Sequence, residues 1–248
     1  MKIVILVDNN SRIDNYLLAE PALSLYLELE GRKILFDSGY SDVFIKNSKK
    51  LNIDLNSISD IVISHGHNDH TGGLVYLSEN LNSNLIAHPN IFDKKIDFDG
   101  LEYGCPISQE QLKKKFNLKL EKGVYWITEN LCYLGEIENN SSSDIDDTAL
   151  VYKSSKGLVI IVGCSHSGII NIVNYALKVT GYNKVHTILG GMHLLNISKA
   201  DLSVLAKDLK ANGINIIYPC HCCDLASKVE LSKYIQVKEV CCGDNFIF

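Results

Sequence analysis

A chain of 248 residues with 46% hydrophobic and 21% charged residues can bury a substantial core and has the balance of a soluble globular protein. Its net charge of −5 argues against a nucleic-acid partner, because an extended phosphate backbone requires a basic surface. No apolar run approaches the ~20 residues that span a bilayer, so no membrane partner is expected either.

The first apolar run, residues 1–8, is too short and too soon interrupted for a secretory signal and reads as a strand. A cytoplasmic location is expected on that ground, where its 8 cysteines would stay reduced or bind metal. Adjacent pairs such as Cys222-Cys223 and Cys241-Cys242 do not form a disulfide framework. Residues 23–29 and 33–36 alternate as a hairpin around Glu30-Gly31-Arg32, with Asp37-Ser38-Gly39 at its exit. A short helix is expected over 41–51 and a buried strand over 60–63.

Directly after that strand comes Ser64-His65-Gly66-His67-Asn68-Asp69-His70-Thr71-Gly72-Gly73, with residues 74–77 expected to begin a helix. Neutral imidazole is the commonest transition-metal ligand, and imidazole with carboxylate suits zinc, iron or manganese. Spacing of i, i+2 and i+4, i+5 divides His65, His67, Asp69 and His70 into two pairs, which on a tight loop suits two adjacent ions.

Another strand is expected over 84–88, closed by Pro89, with His88 structural or at a rim. The pattern loosens from 91 to 120, apart from a helix at 109–116. Here Phe98, Tyr103 and Cys105 read equally as substrate contacts or as core. Paired strands follow at 124–128 and 131–134, then a polar serine-rich loop at 138–147. A second hairpin, 148–152 with 158–162, leads to Gly163-Cys164-Ser165-His166 and an amphipathic helix bearing Ile169, Ile172, Val173, Ala176 and Leu177. A strand at 185–189 delivers Gly190-Gly191-Met192-His193. Ser198 caps a helix with Leu202, Leu205, Ala206 and Leu209 on one face, stopped by Gly213. A strand at 214–218 ends at Pro219-Cys220-His221, a helix covers 224–235, and strands at 237–240 and 246–248 close the chain. Hairpins followed by helices thus occur twice, an α/β or α+β pattern with two sheets. His166, His193 and His221 each follow a strand, as the 65–70 cluster does.

The His65-x-His67-x-Asp69-His70 motif resembles the signature of the metallo-β-lactamase superfamily of metal-dependent hydrolases. The segments 35–39, 163–166, 190–194 and 219–222 resemble a branch of it related to a dihydropterin–ribofuranosylaminobenzene phosphate synthase. The resemblance implies an α+β, αββα four-layer sandwich formed by residues 1–248 as a single domain. It implies one or two metal ions, zinc foremost with manganese or iron as alternatives. His65, His67 and His166 would hold the first ion, and Asp69, His70 and His221 the second. Asp37 would lie beneath the loop and orient a histidine ligand, although a turn carboxylate explains it too. A metal-bound hydroxide would attack a small ester, lactone, thioester or phosphoester, with Asp69 and His193 as catalytic residues. His193 would bind substrate or protonate the leaving group; a strand-end hydrogen-bonder is the alternative.

The chain departs from the superfamily in two places. No Gly-His-Thr motif is present, and Gly163-Cys164 stands where many members have Gly-Asp, leaving Asp146 or Asp147 as substitute ligands. The branch commonly has His-Cys-Thr-Gly where this chain has His221-Cys222-Cys223-Asp224. A separate structural zinc site of Cys220, Cys222, Cys223, Cys241 and Cys242 lacks the usual Cys-x2-Cys knuckle. Other readings are the pterin-linked transferase and a non-catalytic metal-binding protein. Di-iron relatives usually carry glutamate where His67 stands, which favours hydrolytic metals.

Overall fold

The first apolar run forms β1 (Lys2–Val7), followed by the hairpin of β2 (Ser24–Leu29) and β3 (Arg32–Phe36). Leu29 pairs with Arg32, so only Glu30 and Gly31 make the turn; both have positive φ, as the twist of a two-residue hairpin requires. The computed structural model describes residues 1–79, 81–137 and 144–248. The chain folds as two compact units, Met1–Lys122 with Cys241–Phe248, and Gly123–Val240.

In the first unit α1 (Val43–Lys50) crosses to β4 (Asp60–Val62), which lies parallel to β3. The next helix, α2 (Asn68–Thr71), begins inside the histidine motif rather than at residue 74, and a 3-10 turn occupies Gly72–Tyr76. Close packing explains the shift. A Cβ on Gly72 would stand 2.3 Å from Tyr40 O, and one on Gly73 2.0 Å from Ser38 O. These glycines let the chain press onto the residues after β3, and Leu77 is already extended. After β5 (Asn84–Ala87), α3 (Gln109–Lys115) starts with a reciprocal Ser108/Gln111 cap. β6 (Asn117–Leu120), which the sequence pattern does not predict, pairs parallel with β5 as an edge strand. Its outer position tolerates Asn117 and Lys119, which blur the apolar pattern. Leu6, Leu35, Ile61, Leu74, Leu85 and Leu112 are among the fully buried residues of this unit's core.

The second unit repeats the plan. Antiparallel β7 (Tyr125–Trp126), β8 (Leu131–Tyr133), β9 (Ala149–Ser154) and β10 (Gly157–Val162) come first. Of the polar loop, residues 138–143 lie outside those described. Parallel crossings then run through α4 (Ile169–Thr180) to β11 (Val185–Gly190), α5 (Lys199–Ala211) to β12 (Ile216–Pro219), and α6 (Leu225–Leu231) to β13 (Gln236–Val237). α4 buries Ile169, Ile172, Val173 and Ala176 of the expected stripe, with Leu177 partly buried, against a core that includes Val151, Ile160 and Ile188. Ser198 caps α5 by accepting from Asp201 N, and Gly213 follows it with φ +78°. Finally β14 (Asn245–Ile247) returns to the first unit and pairs with β1. Each sheet has seven strands among the described residues and passes from antiparallel to parallel pairing. Among these residues no helix is long and apolar enough to cross a membrane.

Candidate functional site

The carboxyl ends of parallel strands, where a strand hands over to a helix, are the usual places for ligands in such sheets. Here β4 leads to His65, His67 and His70, β10 to His166, β11 to His193 and β12 to His221. Asp37, Ser165, His193 and His221 have φ between 50° and 61°, an uncommon conformation for residues with a side chain. Backbone strain of that kind concentrates at functional positions.

In the first unit His65 and His70 are fully buried, with ring centroids 4.2 Å apart, and His67 packs 4.4 Å from His65. Asp37 lies beneath them, also fully buried. Its Oδ1 accepts from Ser64 N at 2.7 Å, and its Oδ2 accepts from Ser64 Oγ and from His70 Nδ1, each at 2.7 Å. Ser64 Oγ also lies 2.9 Å from His65 Nδ1. A carboxylate only accepts, so the single serine proton goes to Asp37 and the serine oxygen accepts from His65 Nδ1–H. Asp37 therefore sets both imidazoles to the same tautomer, directly for His70 and through Ser64 for His65. In that tautomer Nε2 carries the lone pair, the state a metal ligand needs. Asp69 lies in the first turn of α2, 28% exposed, with Oδ2 3.7 Å from His70 Nε2.

Tyr103 meets the His67 ring edge-on with centroids 4.9 Å apart, Cys105 donates to Ile107 O, and Phe98 is 97% exposed, so it is not core. His88 is buried and its Nδ1 accepts from Asn90 N, a structural role. A cavity of about 500 Å³ beside α2 is lined by residues including Tyr40, Asn68, Tyr76, Glu102 and Cys105.

In the second unit the His166 ring lies 4.7 Å from that of His193, with Nδ1 3.6 Å from Asp144 Oδ2. His193 is exposed and His221 buried. Asp146 and Asp147 are both buried. Asp147 Oδ2 accepts from Ser167 N at 2.8 Å, holding the turn that carries His166, and burial pushes its carboxyl up to about 7. The strand ends are tied together: Ser165 Oγ donates to Gly191 O, Gly191 N to Gly163 O, and Cys220 N to Gly190 O. Cys164 and Cys222 stand with His221 as a group of buried donors, which sequence spacing did not reveal. Among the described residues no such group includes Cys220, Cys223, Cys241 or Cys242. Cys242 instead accepts from Asp8 N through its sulfur. The donors of each unit thus fit a metal ion in chemistry: preset neutral imidazoles with a carboxylate in the first, imidazoles with thiols in the second.

Residues 18–139 match the family model described as the metallo-beta-lactamase superfamily. A 7,8-dihydropterin-6-methyl-4-(beta-D-ribofuranosyl)-aminobenzene-5'-phosphate synthase of Methanocaldococcus jannaschii is 30% identical, with 90% of this chain and 87% of the relative covered. The crystal structure of Tm1679, a metal-dependent hydrolase of the beta-lactamase superfamily, is 29% identical with a TM-score of 0.86, covering 100% of this chain and 99% of that one. Zn2+-bound PqqB from Methylobacterium extorquens shares the fold at 11% identity, with a TM-score of 0.62 and full coverage of both chains.

Proposed function

The chain belongs to the metallo-β-lactamase superfamily and has its α+β fold, and on that premise we propose that it is a metal-dependent hydrolase of a small ester, lactone, thioester or phosphoester. The observation that carries this reading is the Asp37–Ser64–His65 and Asp37–His70 pair of hydrogen-bond chains, which readies two buried Nε2 lone pairs. We assign His65, His67, Asp69 and His70 as metal ligands in the first unit and His166 and His221 as metal ligands in the second, with zinc the preferred metal and manganese or iron as alternatives. Bound there, the metal supplies Lewis acidity that activates water and polarises a carbonyl or phosphoryl oxygen.

The chain's own residues do the rest. Asp37 keeps the ligand tautomers fixed. Asp147 holds the turn bearing His166. We assign His193, exposed and with its ring 4.7 Å from that of His166, the role of handing a proton to a leaving group. Elemental analysis, with turnover of a panel of chromogenic esters, lactones, thioesters and phosphoesters before and after chelation, tests this. Metal content at background even after zinc reconstitution sinks it.

A second reading, a pterin-linked synthase, is favoured by the likeness to the M. jannaschii enzyme over most of the chain. Incubation with a dihydropterin donor and a ribofuranosylaminobenzene phosphate acceptor separates the two. A joined product seen by mass spectrometry, with no ester hydrolysis, selects the synthase.

A further inference from the structure

We infer that the ends of β10 and β12 build a thiolate-bearing metal site, in which Cys164 and Cys222 join His221 around one thiophilic divalent ion. The two Sγ atoms and a ring nitrogen of His221 all lie within 4.8 Å of one another, and all three residues are buried. An ion at ~2.3 Å from sulfur and ~2.0–2.1 Å from nitrogen places tetrahedral donors about 3.5 Å apart, so small side-chain rotations close the set.

The surroundings favour sulfur bound to metal over sulfur as mere filling. His193 N donates to Cys222 Sγ at 3.2 Å. Backbone N–H groups aimed at sulfur stabilise the negative charge of a thiolate. Gly191 makes the space: a Cβ there would stand 2.6 Å from Cys222 Sγ and 2.3 Å from Gly163 O. By contrast Cys132 sits in the apolar core among Leu134, Val151 and other side chains and behaves as a small hydrophobe. Binding breaks two S–H bonds, forms two metal–sulfur bonds and releases two protons to solvent, so the balance needs no oxidant.

The two cysteines are 58 residues apart, a separation no short motif captures. The inference rests on the metal-dependent reading and changes the donor chemistry of the ion that His221 holds.

Cobalt substitution tests it. Protein stripped by chelation and reloaded with Co2+ is expected to show a thiolate-to-cobalt charge-transfer band in the near ultraviolet. Cys164→Ala and Cys222→Ala should each leave about half of its intensity, one soft ligand remaining. Cys105→Ser, in the other unit, should leave the band unchanged. Should an alanine variant not fold, the wild-type spectrum still decides. Bound cobalt with no charge-transfer band, or a band indifferent to both alanine substitutions, overturns the thiolate site and leaves the metal-dependent reading standing. Failure to bind cobalt at all overturns both.

Discussion

Asp37 Oδ2 and His70 Nδ1 stand 2.7 Å apart, both side chains fully buried, and the same carboxylate oxygen takes the Ser64 hydroxyl that in turn faces His65. A single carboxylate thus sets the protonation of two imidazoles on the loop after β4.

Replacing that carboxylate by an amide tests the arrangement with little backbone cost, since asparagine tolerates the positive φ of Asp37. Asp37→Asn turns one acceptor oxygen into a donor NH2, and the tautomer control is lost. The expected outcome is metal affinity lower by about 10–100-fold with the fold retained. Competition against a chromogenic chelator measures it, and unchanged affinity would remove Asp37 from the site.

Gly66, between the ligand candidates His65 and His67, has no room for a side chain. A Cβ would lie 2.4 Å from Ile91 O and 2.8 Å from Ile91 Cα, both backbone atoms that cannot swing away. Gly66→Ala should therefore cost about 1–3 kcal/mol by overpacking, and displace both flanking rings. Gly123→Ala, with nothing within 4 Å and no positive φ, should stay within about 0.5 kcal/mol of wild type. Urea titrations of the two variants decide the matter, and equal midpoints would contradict it.

His166 and His88 separate ligation from structure. His166→Ala is expected to lower metal stoichiometry or affinity while α4 stays folded. His88→Ala removes the acceptor for Asn90 N and should cost about 0.5–2 kcal/mol of stability without loss of metal. Metal analysis beside circular dichroism reads both. Full metal retention in His166→Ala would make Asp146 or Asp147 the next ligand to test.

Asp224 carries a pH dependence of known sign. Backbone N–H groups of Asn196 and Ser227 hold its carboxyl below the ordinary aspartate value while it caps α6. The stabilisation is full above the ordinary value and is lost as pH falls through the lowered, folded one. Asp224→Ala should cost about 0.5–2 kcal/mol at neutral pH. Asp224→Asn should keep most of the cap but lose the acid-side slope. Unfolding midpoints at neutral and acidic pH check this, and an unchanged slope in the asparagine variant would refute it.

Much of this was legible from local pattern. The hairpins of β2 with β3 and of β9 with β10, the stripe of α4 and the histidines after β4, β10, β11 and β12 all follow from alternation, helical spacing and strand-ending glycines. What was not legible depends on pairing between distant residues. β6 is an edge strand whose polar side chains mask its period. The early start of α2 is set by Gly72 and Gly73 pressing on Tyr40 and Ser38. Ser64 looked like a loop residue, and only its simultaneous approach to Asp37 and His65 reveals the relay.

The return of β14 to β1 has a consequence for how the protein is made. Lys2 pairs with Ile247, so the edge of the first sheet is joined across nearly the whole chain, with all of residues 123–240 between. Closing so long a loop carries an entropy cost that grows with the logarithm of its length, and pairings of this separation slow folding. The outer strand of the unit that bears His65, His67 and His70 is thus synthesised only after the other unit is complete. Until then β1 presents an open edge to any strand that can reach it.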